Sequence, residues 1–280
     1  MKTITNIAEY RRQLADWRKH DERIACVPTM GNLHAGHLQL LKQARQLAPR
    51  SVVSIFVNPL QFGPSEDYQT YPRTLAADTA QLAAAGLDVL FAPMVGEMYP
   101  DGTEAMTRVE VPELSNILDG VTRPGHFTGV ATVVTKLLNI IQPDVALFGE
   151  KDYQQLLVIR RLVADLCLPV EIVAAPTVRD ADGLAMSSRN AYLSDAERGR
   201  APLLHQTLLE VLERLQQGVD DFAVLESEAV ARLRDGGFRP DYVSVRRAQD
   251  LAEPTLQDSK LVVLGAAWLG KTRLIDNVKI

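Results

Sequence analysis

Ile24-Ala25-Cys26-Val27-Pro28-Thr29-Met30-Gly31-Asn32-Leu33-His34-Ala35-Gly36-His37 runs from a short β-type segment, through a turn marked by glycine, into the start of a helix. Leu38, Leu41, Ala44 and Leu47 then recur at helical spacing until Pro49 closes the segment. Val52–Val57 follows as a second strand, rich in β-branched residues and apolar on both faces. Strand, turn, helix, strand is the opening of a βαβ unit, and the pattern repeats. Leu75–Ala85 reads as an alanine-rich helix stopped by Gly86, and Val89–Phe91 as a third strand. Val130–Ile141 reads as a buried helix, Val145–Phe148 as a fourth strand, Gln154–Leu166 as a helix and Val170–Ala174 as a fifth strand. The expected fold class is therefore α/β, a Rossmann-like parallel sheet with helices on both faces. In such sheets ligands bind beyond the carboxyl ends of the strands, so the informative residues are expected just after strands.

From about Asp180 the texture changes. Ser194 followed by Glu197 is a capping-box signal, Leu203–Leu215 and Phe222–Leu233 are amphipathic helices, and Tyr242–Val245, Leu261–Leu264 and Arg273–Val278 resemble antiparallel strands. The spacing predicts a first domain over residues 1–178 and a small α+β domain over 179–280, the latter expected to close over the site. The 280 residues carry 35 acidic and 30 basic side chains, a net charge of −5, which disfavours nucleic acid as a bulk partner. The longest uncharged stretch, Ser51–Ser65, is broken by Pro59, Gly63 and Pro64, so no membrane span is expected. Charged residues occupy the N-terminal segment where a signal peptide has its apolar core. Cys26 and Cys167 are too few for a disulfide framework and are expected as buried free thiols in a cytoplasmic enzyme.

The turn after the first strand carries the strongest chemical signal. Backbone N–H groups at a helix start favour anions, phosphate above all. His34 and His37 fall on one face of the first turn, where two imidazoles can donate to phosphate oxygens and stabilise charge developing at phosphorus. A metal pair at this spacing is an alternative, with no third ligand evident. After the second strand, Asn58 and Gln61 are neutral donor–acceptors suited to a hydroxylated or carboxylated ligand, although Asn-Pro there also fits a plain turn. After the fourth strand, Lys151 stands against the helix dipole unless an anion is bound, or else belongs to a solvated Glu-Lys-Asp cluster. Met186-Ser187-Ser188-Arg189 offers two hydroxyls and an arginine to phosphate. Arg123–Phe127 is a further contact-loop candidate. Gly265–Thr272 matches the P-loop pattern, but Thr272–Ile280 alternates like a strand where that loop needs a helix, so a hairpin is expected.

Together these blocks resemble the pantoate–beta-alanine ligase family, within the nucleotidyltransferases that carry a "HIGH" signature. The resemblance rests on residues 28–37, Phe-Val-Asn-Pro-Leu-Gln-Phe at 56–62 and Arg-Pro-Gly-His-Phe-Thr-Gly-Val at 123–130. It continues through Phe-Gly-Glu-Lys-Asp-Tyr-Gln-Gln at 148–155, Met-Ser-Ser-Arg-Asn at 186–190 and Arg-Leu-Ile-Asp-Asn at 273–277, nearly the whole chain in order. It implies that ATP, accompanied by Mg2+, adenylates pantoate with release of pyrophosphate. Beta-alanine then attacks the acyl carbon, giving pantothenate and AMP. It also implies an ATP site of Met30, Gly31, Asn32, Leu33, His34, Ala35, Gly36 and His37, with Gly149, Glu150, Lys151, Asp152, Val178, Met186, Ser187, Ser188 and Arg189. His37, His34 and Lys151 are the implied catalytic groups, with His37 the proton donor in the family scheme. Gln61 and Gln155 are implied to hold pantoate, with Asn58 beside them in the substrate site. Met186–Arg189 takes the place of the superfamily's "KMSKS" loop without its first lysine, as is normal in this family. The family suggests a homodimer. The metal ligands, and what deprotonates the beta-alanine amine, stay open. A transferase moving AMP onto a phosphorylated precursor, or a non-catalytic nucleotide-binding module, are the rival readings. The first needs a second phosphate site in place of the neutral glutamines, and the second predicts binding without turnover.

Overall fold

A computed structural model of the chain describes residues 1–64 and 66–280. Spatial proximity divides them into two units. The first comprises Met1–Glu150 and Val158–Ala175, and the second Lys151–Leu157 and Pro176–Ile280, so Val178 belongs to the second.

The first unit begins with β1 (Lys2–Ile4) and α1 (Ile7–Lys19), followed by β2 (Ile24–Thr29), α2 (Ala35–Leu47) and β3 (Arg50–Ile55). Then come α3 (Leu75–Ala84), β4 (Val89–Phe91), the short turns α4 (Val95–Met98) and α5 (Asp119–Thr122), and α6 (His126–Ile141). β5 (Val145–Gly149), α7 (Tyr153–Asp165), whose residues up to Leu157 belong to the second unit, and β6 (Glu171–Ala175) complete the alternation. The six strands form one parallel sheet in the order β1-β4-β3-β2-β5-β6, as the βαβ pattern requires. β2 is the pivot. The chain leaves it toward β3 on one side and returns to β5 on the other, in register Ala25↔Val145 and Cys26↔Ala146. Diverging connections at neighbouring strand ends open a crevice beyond β2 and β5, the switch point of the sheet. The core beneath it is made of Ala25, Val27, Leu41, Val53, Leu82, Leu90, Val145 and Leu147, all buried.

Burial pushes the Cys26 thiol well above its ordinary range and keeps it inert. Cys167 differs from expectation. It sits just past the end of α7 with φ near +50°, and this left-handed end turns it outward, exposed rather than buried.

In the second unit, α8 (Asp195–Arg200), α9 (Leu203–Gln216) and α10 (Phe222–Asp235) precede β7 (Arg239–Arg247), β8 (Leu261–Leu269) and β9 (Thr272–Lys279). The strands form an antiparallel β7-β8-β9 sheet, and Leu204, Leu208, Leu225, Leu233, Val245 and Val263 fill the core between it and the helices. Ser194 and Glu197 make the expected reciprocal cap of α8. β8 and β9 close on Gly270-Lys271 with Leu269 opposite Thr272, and Gly270 takes a φ of +58°. The P-loop look-alike is thus a two-residue hairpin, with glycine where such turns demand positive φ.

Candidate active site

The turn leaving β2 is fixed from three directions. Thr29 Oγ1 donates to the Ser54 carbonyl at 2.8 Å and accepts from the Gly31 N–H at 3.2 Å. Gly31 and Asn32 both adopt positive φ, +82° and +50°, which swings the chain off the sheet. Asp78 of α3, 1% exposed, accepts the Asn32 and Leu33 N–H groups at 2.9 Å each and the Thr74 hydroxyl at 3.1 Å. This carboxylate holds the left-handed turn in place, and it carried no signal in the sequence beyond being an acid in an apolar helix.

The turn delivers His34 to the N-cap of α2. His34 Nδ1 accepts from the Gly36 N–H at 3.2 Å, and His37 Nδ1 accepts from the His34 N–H at 3.3 Å. The pair forms a reciprocal cap in which imidazoles replace the usual hydroxyl and carboxylate. Their rings lie 4.1 Å apart, tilted by 43°. Because both Nδ1 atoms accept from backbone donors, the neutral rings carry their protons on Nε2. Two N–H donors are thereby set at a helix N-terminus, an arrangement suited to phosphate.

The loop after β3 makes a single 3₁₀ turn, Pro59–Gln61, capped by Asn58. Asn58 is 1% exposed and its amide is engaged on every side. Its Oδ1 accepts from the Leu60 N–H at 3.3 Å and the Tyr99 hydroxyl at 2.8 Å, while its Nδ2 donates to the Gly129 carbonyl at 3.1 Å and to Gln61 Oε1 at 3.2 Å. Gln61 Nε2 in turn reaches Met30 Sδ at 3.1 Å. Gly129 is obligatory here, since a Cβ would collide with the Leu60 carbonyl. The Arg123–Phe127 segment stands directly behind. Arg123 pairs with Glu66 at 2.6 Å, and its Nη1 lies 3.0 Å from His126 Nε2, while His126 Nδ1 lies 2.8 Å from the Gln61 carbonyl. A carbonyl only accepts, so Nδ1 holds the proton and Nε2 accepts from the guanidinium. Burial, then the Arg123 charge, push the His126 pKa down to about 4, and the ring stays neutral.

Beyond β5, Gly149 pairs with Ala175 and Glu150 opens a 3₁₀ turn, Glu150–Asp152. In the second unit, the Lys151 carbonyl accepts from Asn277 Nδ2 at 3.0 Å, and its ammonium lies 3.9 Å from Asp152 with its side chain 17% exposed. Lys151 is therefore sheltered, while the side chain of its neighbour Asp152 is 46% exposed. Gln155, in the first turn of α7, is half-buried. The Met186 N–H donates to the Val178 carbonyl at 2.9 Å, and Arg179 bridges to Ala185, so Val178 and Met186 share one small hairpin. Ser187 then caps a 3₁₀ turn, Ser188–Tyr192, its Oγ accepting from the Arg189 N–H at 3.3 Å. The hairpin is anchored by Arg179, which grips Asp276 at 2.6 and 2.9 Å and donates to the Gly183 carbonyl at 3.0 Å. Burial alone would raise the Asp276 carboxyl. His205 at 3.3 Å and the Arg179 guanidinium outweigh it and hold its pKa below the ordinary carboxylate range.

The first unit thus brings together Met30, Gly31, Asn32, Leu33, His34, Ala35, Gly36 and His37 on one turn, and Met30 meets Gln61 with Asn58 behind it. The second brings Val178 to Met186, Ser187, Ser188 and Arg189, and sets Lys151 and Asp152 one turn before Gln155. Asp78, Tyr99 and Arg179 are the supports that the sequence reading did not name, and Asp276 lay in the motif at 273–277 with no role assigned to it. Among the described residues, no three His, Cys, Asp or Glu side chains gather as a metal-binding group, and no helix is long and apolar enough to cross a membrane.

The family model for pantoate-beta-alanine ligase matches residues 2–279. A pantothenate synthetase of Pseudomonas aeruginosa strain UCBPP-PA14 is 56% identical over 280 residues, covering 100% of this chain and 99% of the relative. One from Nitrosococcus oceani is 55% identical, with 100% and 98% covered. Among solved structures, a pantothenate synthetase from Thermus thermophilus superposes with a TM-score of 0.92 at 48% identity, covering 99% of each chain. A pantoate-beta-alanine ligase from Francisella tularensis, complexed with beta-gamma ATP and beta-alanine, gives 0.82 at 38% identity, covering 99% of this chain and 97% of that one.

Proposed function

The chain belongs to the pantoate-beta-alanine ligase family and is an ATP-using ligase of pantothenate biosynthesis, and we propose that it works through a pantoyl adenylate on the residues described above. The observation that carries this reading is the pair of capping imidazoles on the turn after β2. His34 and His37 donate from Nε2 to the ATP phosphates, and Met30 to His37 wrap the nucleotide with their backbone. Gly149, Glu150, Lys151, Asp152, Val178 and Met186–Arg189 complete the nucleotide site, with Lys151 clamping phosphate. Gln61 and Gln155 hold pantoate, and Asn58 serves the same subsite from behind Gln61.

The division of labour follows from charge. A carboxylate with a pKa of about 4 is ionised at neutral pH, so pantoate attacks the α-phosphorus without a general base. The carboxylate oxygen forms the new bond to phosphorus, and pyrophosphate leaves with the electron pair of the bond that breaks. Negative charge builds on the phosphate oxygens as this happens, and preset N–H donors and an ammonium stabilise it without reorganising. Alignment of carboxylate and phosphate supplies much of the remaining acceleration. In the second step the deprotonated beta-alanine amine attacks the acyl carbon and expels AMP.

Mg2+ enters with ATP. Carried on the ATP phosphates, it would neutralise part of their charge. The active form is a homodimer in the cytoplasm, as the family relationship suggests. Sedimentation of the purified chain checks the dimer.

Pyrophosphate release from ATP and Mg2+, with beta-alanine withheld, tests the whole scheme. A burst stoichiometric with enzyme and dependent on pantoate is the expected result. No release with pantoate, in protein that binds ATP, overturns it.

A further inference from the structure

The proposed pantoate subsite contains a decision that a glutamine cannot make for itself, namely which end of its amide faces the ligand. The groups packed behind Gln61 make it. Partners of fixed polarity set Asn58 first. The Leu60 N–H can only donate, so the Asn58 atom 3.3 Å from it is Oδ1, and the Gly129 carbonyl can only accept, so the atom 3.1 Å from it is Nδ2. That same Nδ2 stands 3.2 Å from the Gln61 side chain, which must therefore present Oε1 to it. Gln61 Nε2 is turned the other way, against the Met30 thioether, a weak acceptor that leaves donor capacity for a ligand oxygen.

Tyr99 completes the arrangement. Its ring is 4% exposed, packed on Phe56 with centroids 5.9 Å apart, and its hydroxyl donates to Asn58 Oδ1 at 2.8 Å. It is the shortest of the bonds that hold the Asn58 amide. The Gln61 backbone is fixed separately, by His126 Nδ1 on its carbonyl, so loss of the tyrosine hydroxyl leaves Asn58 on its two longer backbone bonds alone and loosens the amide relay without moving the loop.

We propose that Tyr99 is a positioning residue for this reaction: acting through Asn58, it locks the Gln61 amide with its NH2 toward the substrate, so the subsite reads an acceptor oxygen of pantoate. The proposal rests on the assignment of Gln61 to pantoate.

Steady-state kinetics of Tyr99→Phe, Gln61→Ala, Gln61→Glu and the Tyr99→Phe/Gln61→Ala double variant test it, with circular dichroism as a check on folding. Tyr99→Phe is expected to raise the KM for pantoate about tenfold, the effect of one neutral hydrogen bond, and to leave the KM for ATP and beta-alanine unchanged. In the Gln61→Ala background the same substitution adds nothing, because its target is gone. Gln61→Glu, which offers only acceptors at neutral pH, is expected to bind pantoate no better than Gln61→Ala. A tenfold effect of Tyr99→Phe that persists without Gln61, or normal pantoate binding by Gln61→Glu, overturns the relay while leaving Gln61 at the substrate. Unchanged pantoate kinetics in Gln61→Ala instead overturns the assignment of Gln61 and the relay with it.

Discussion

His34 and His37 show how one side chain can serve fold and chemistry together. Each spends Nδ1 on a backbone N–H at the start of α2, and that bond decides that Nε2 bears the proton. Replacing His37 by alanine removes a cap and a phosphate donor at once, and Lys151→Ala removes the ammonium. Each is expected to slow single-turnover adenylation about 10²–10³-fold, as loss of an oxyanion-type donor does. Rapid-quench measurement with pantoate and ATP checks this, and a near-normal burst in either variant would defeat the role assigned to that residue. The histidines were legible in the sequence because their type and spacing at a strand-to-helix turn are unusual. Asp78 and Tyr99 were not. An aspartate in an alanine-rich helix looks like a surface acid until the fold buries it under Asn32 and Leu33, and a lone tyrosine announces no partner at residue 58.

At the scale of elements, the turn from β2 to α2 is a strained device held by its surroundings. Gly31 sits at φ +82°, and a Cβ there would lie 3.0 Å from Ile55 Cγ2 and 3.1 Å from Asp78 Oδ2. Gly31→Ala is therefore expected to cost about 1–2 kcal/mol in stability for the left-handed backbone alone. It is also expected to lower adenylation about 10²-fold by displacing the helix start. Chemical denaturation and burst kinetics on one preparation separate the two effects, and wild-type values for both would show that the turn tolerates a side chain. The opposite expectation holds for the β8–β9 hairpin. Lys271 occupies the second position of a two-residue loop, and the strand β9 follows it directly where a nucleotide-binding loop needs a helix. Lys271→Ala should leave ATP-dependent turnover unchanged, and a large drop in the affinity for ATP would revive the P-loop reading. Sequence periodicity found the strands β2 to β6 and the helices α2, α3, α6 and α7 because each carries an apolar signal, and it missed the single turns α4 and α5. It also missed β1, whose Lys2-Thr3-Ile4 offers one buried apolar residue where the equally short β4 offers three, and α1. The charges of α1 hide a helical stripe of Tyr10, Leu14 and Trp17, all buried.

At the scale of the whole molecule, two titratable groups shifted by their surroundings, His126 in the first unit and Asp276 in the second, set different acid limits. His126 in the first unit is held neutral, its pKa lowered from 6.5 to about 4 by burial and by the Arg123 charge. Below pH 6.5 the unfolded chain takes up a proton there that the folded chain refuses, so stability falls as pH drops toward 4, by at most about 1.4 kcal/mol per pH unit. Asp276 in the second unit is shifted the other way for an acid. Its contribution is complete above the ordinary aspartate range of about 4 and is lost only as pH falls below it. The first unit should therefore weaken before the second. The chain has two tryptophans, Trp17 in the first unit and Trp268 in the second, so single-tryptophan variants read the units separately. Urea midpoints reported by Trp17 are expected to decline from pH 7 to pH 4.5, and those reported by Trp268 to hold until below pH 4. His126→Gln should flatten the first decline, and Asp276→Asn should remove the second at a cost of about 3–5 kcal/mol at neutral pH, because Arg179 loses its buried partner. A decline at Trp17 that His126→Gln leaves unaltered would place the first acid limit elsewhere, and with it the claim that a neutral imidazole braces the Gln61 backbone.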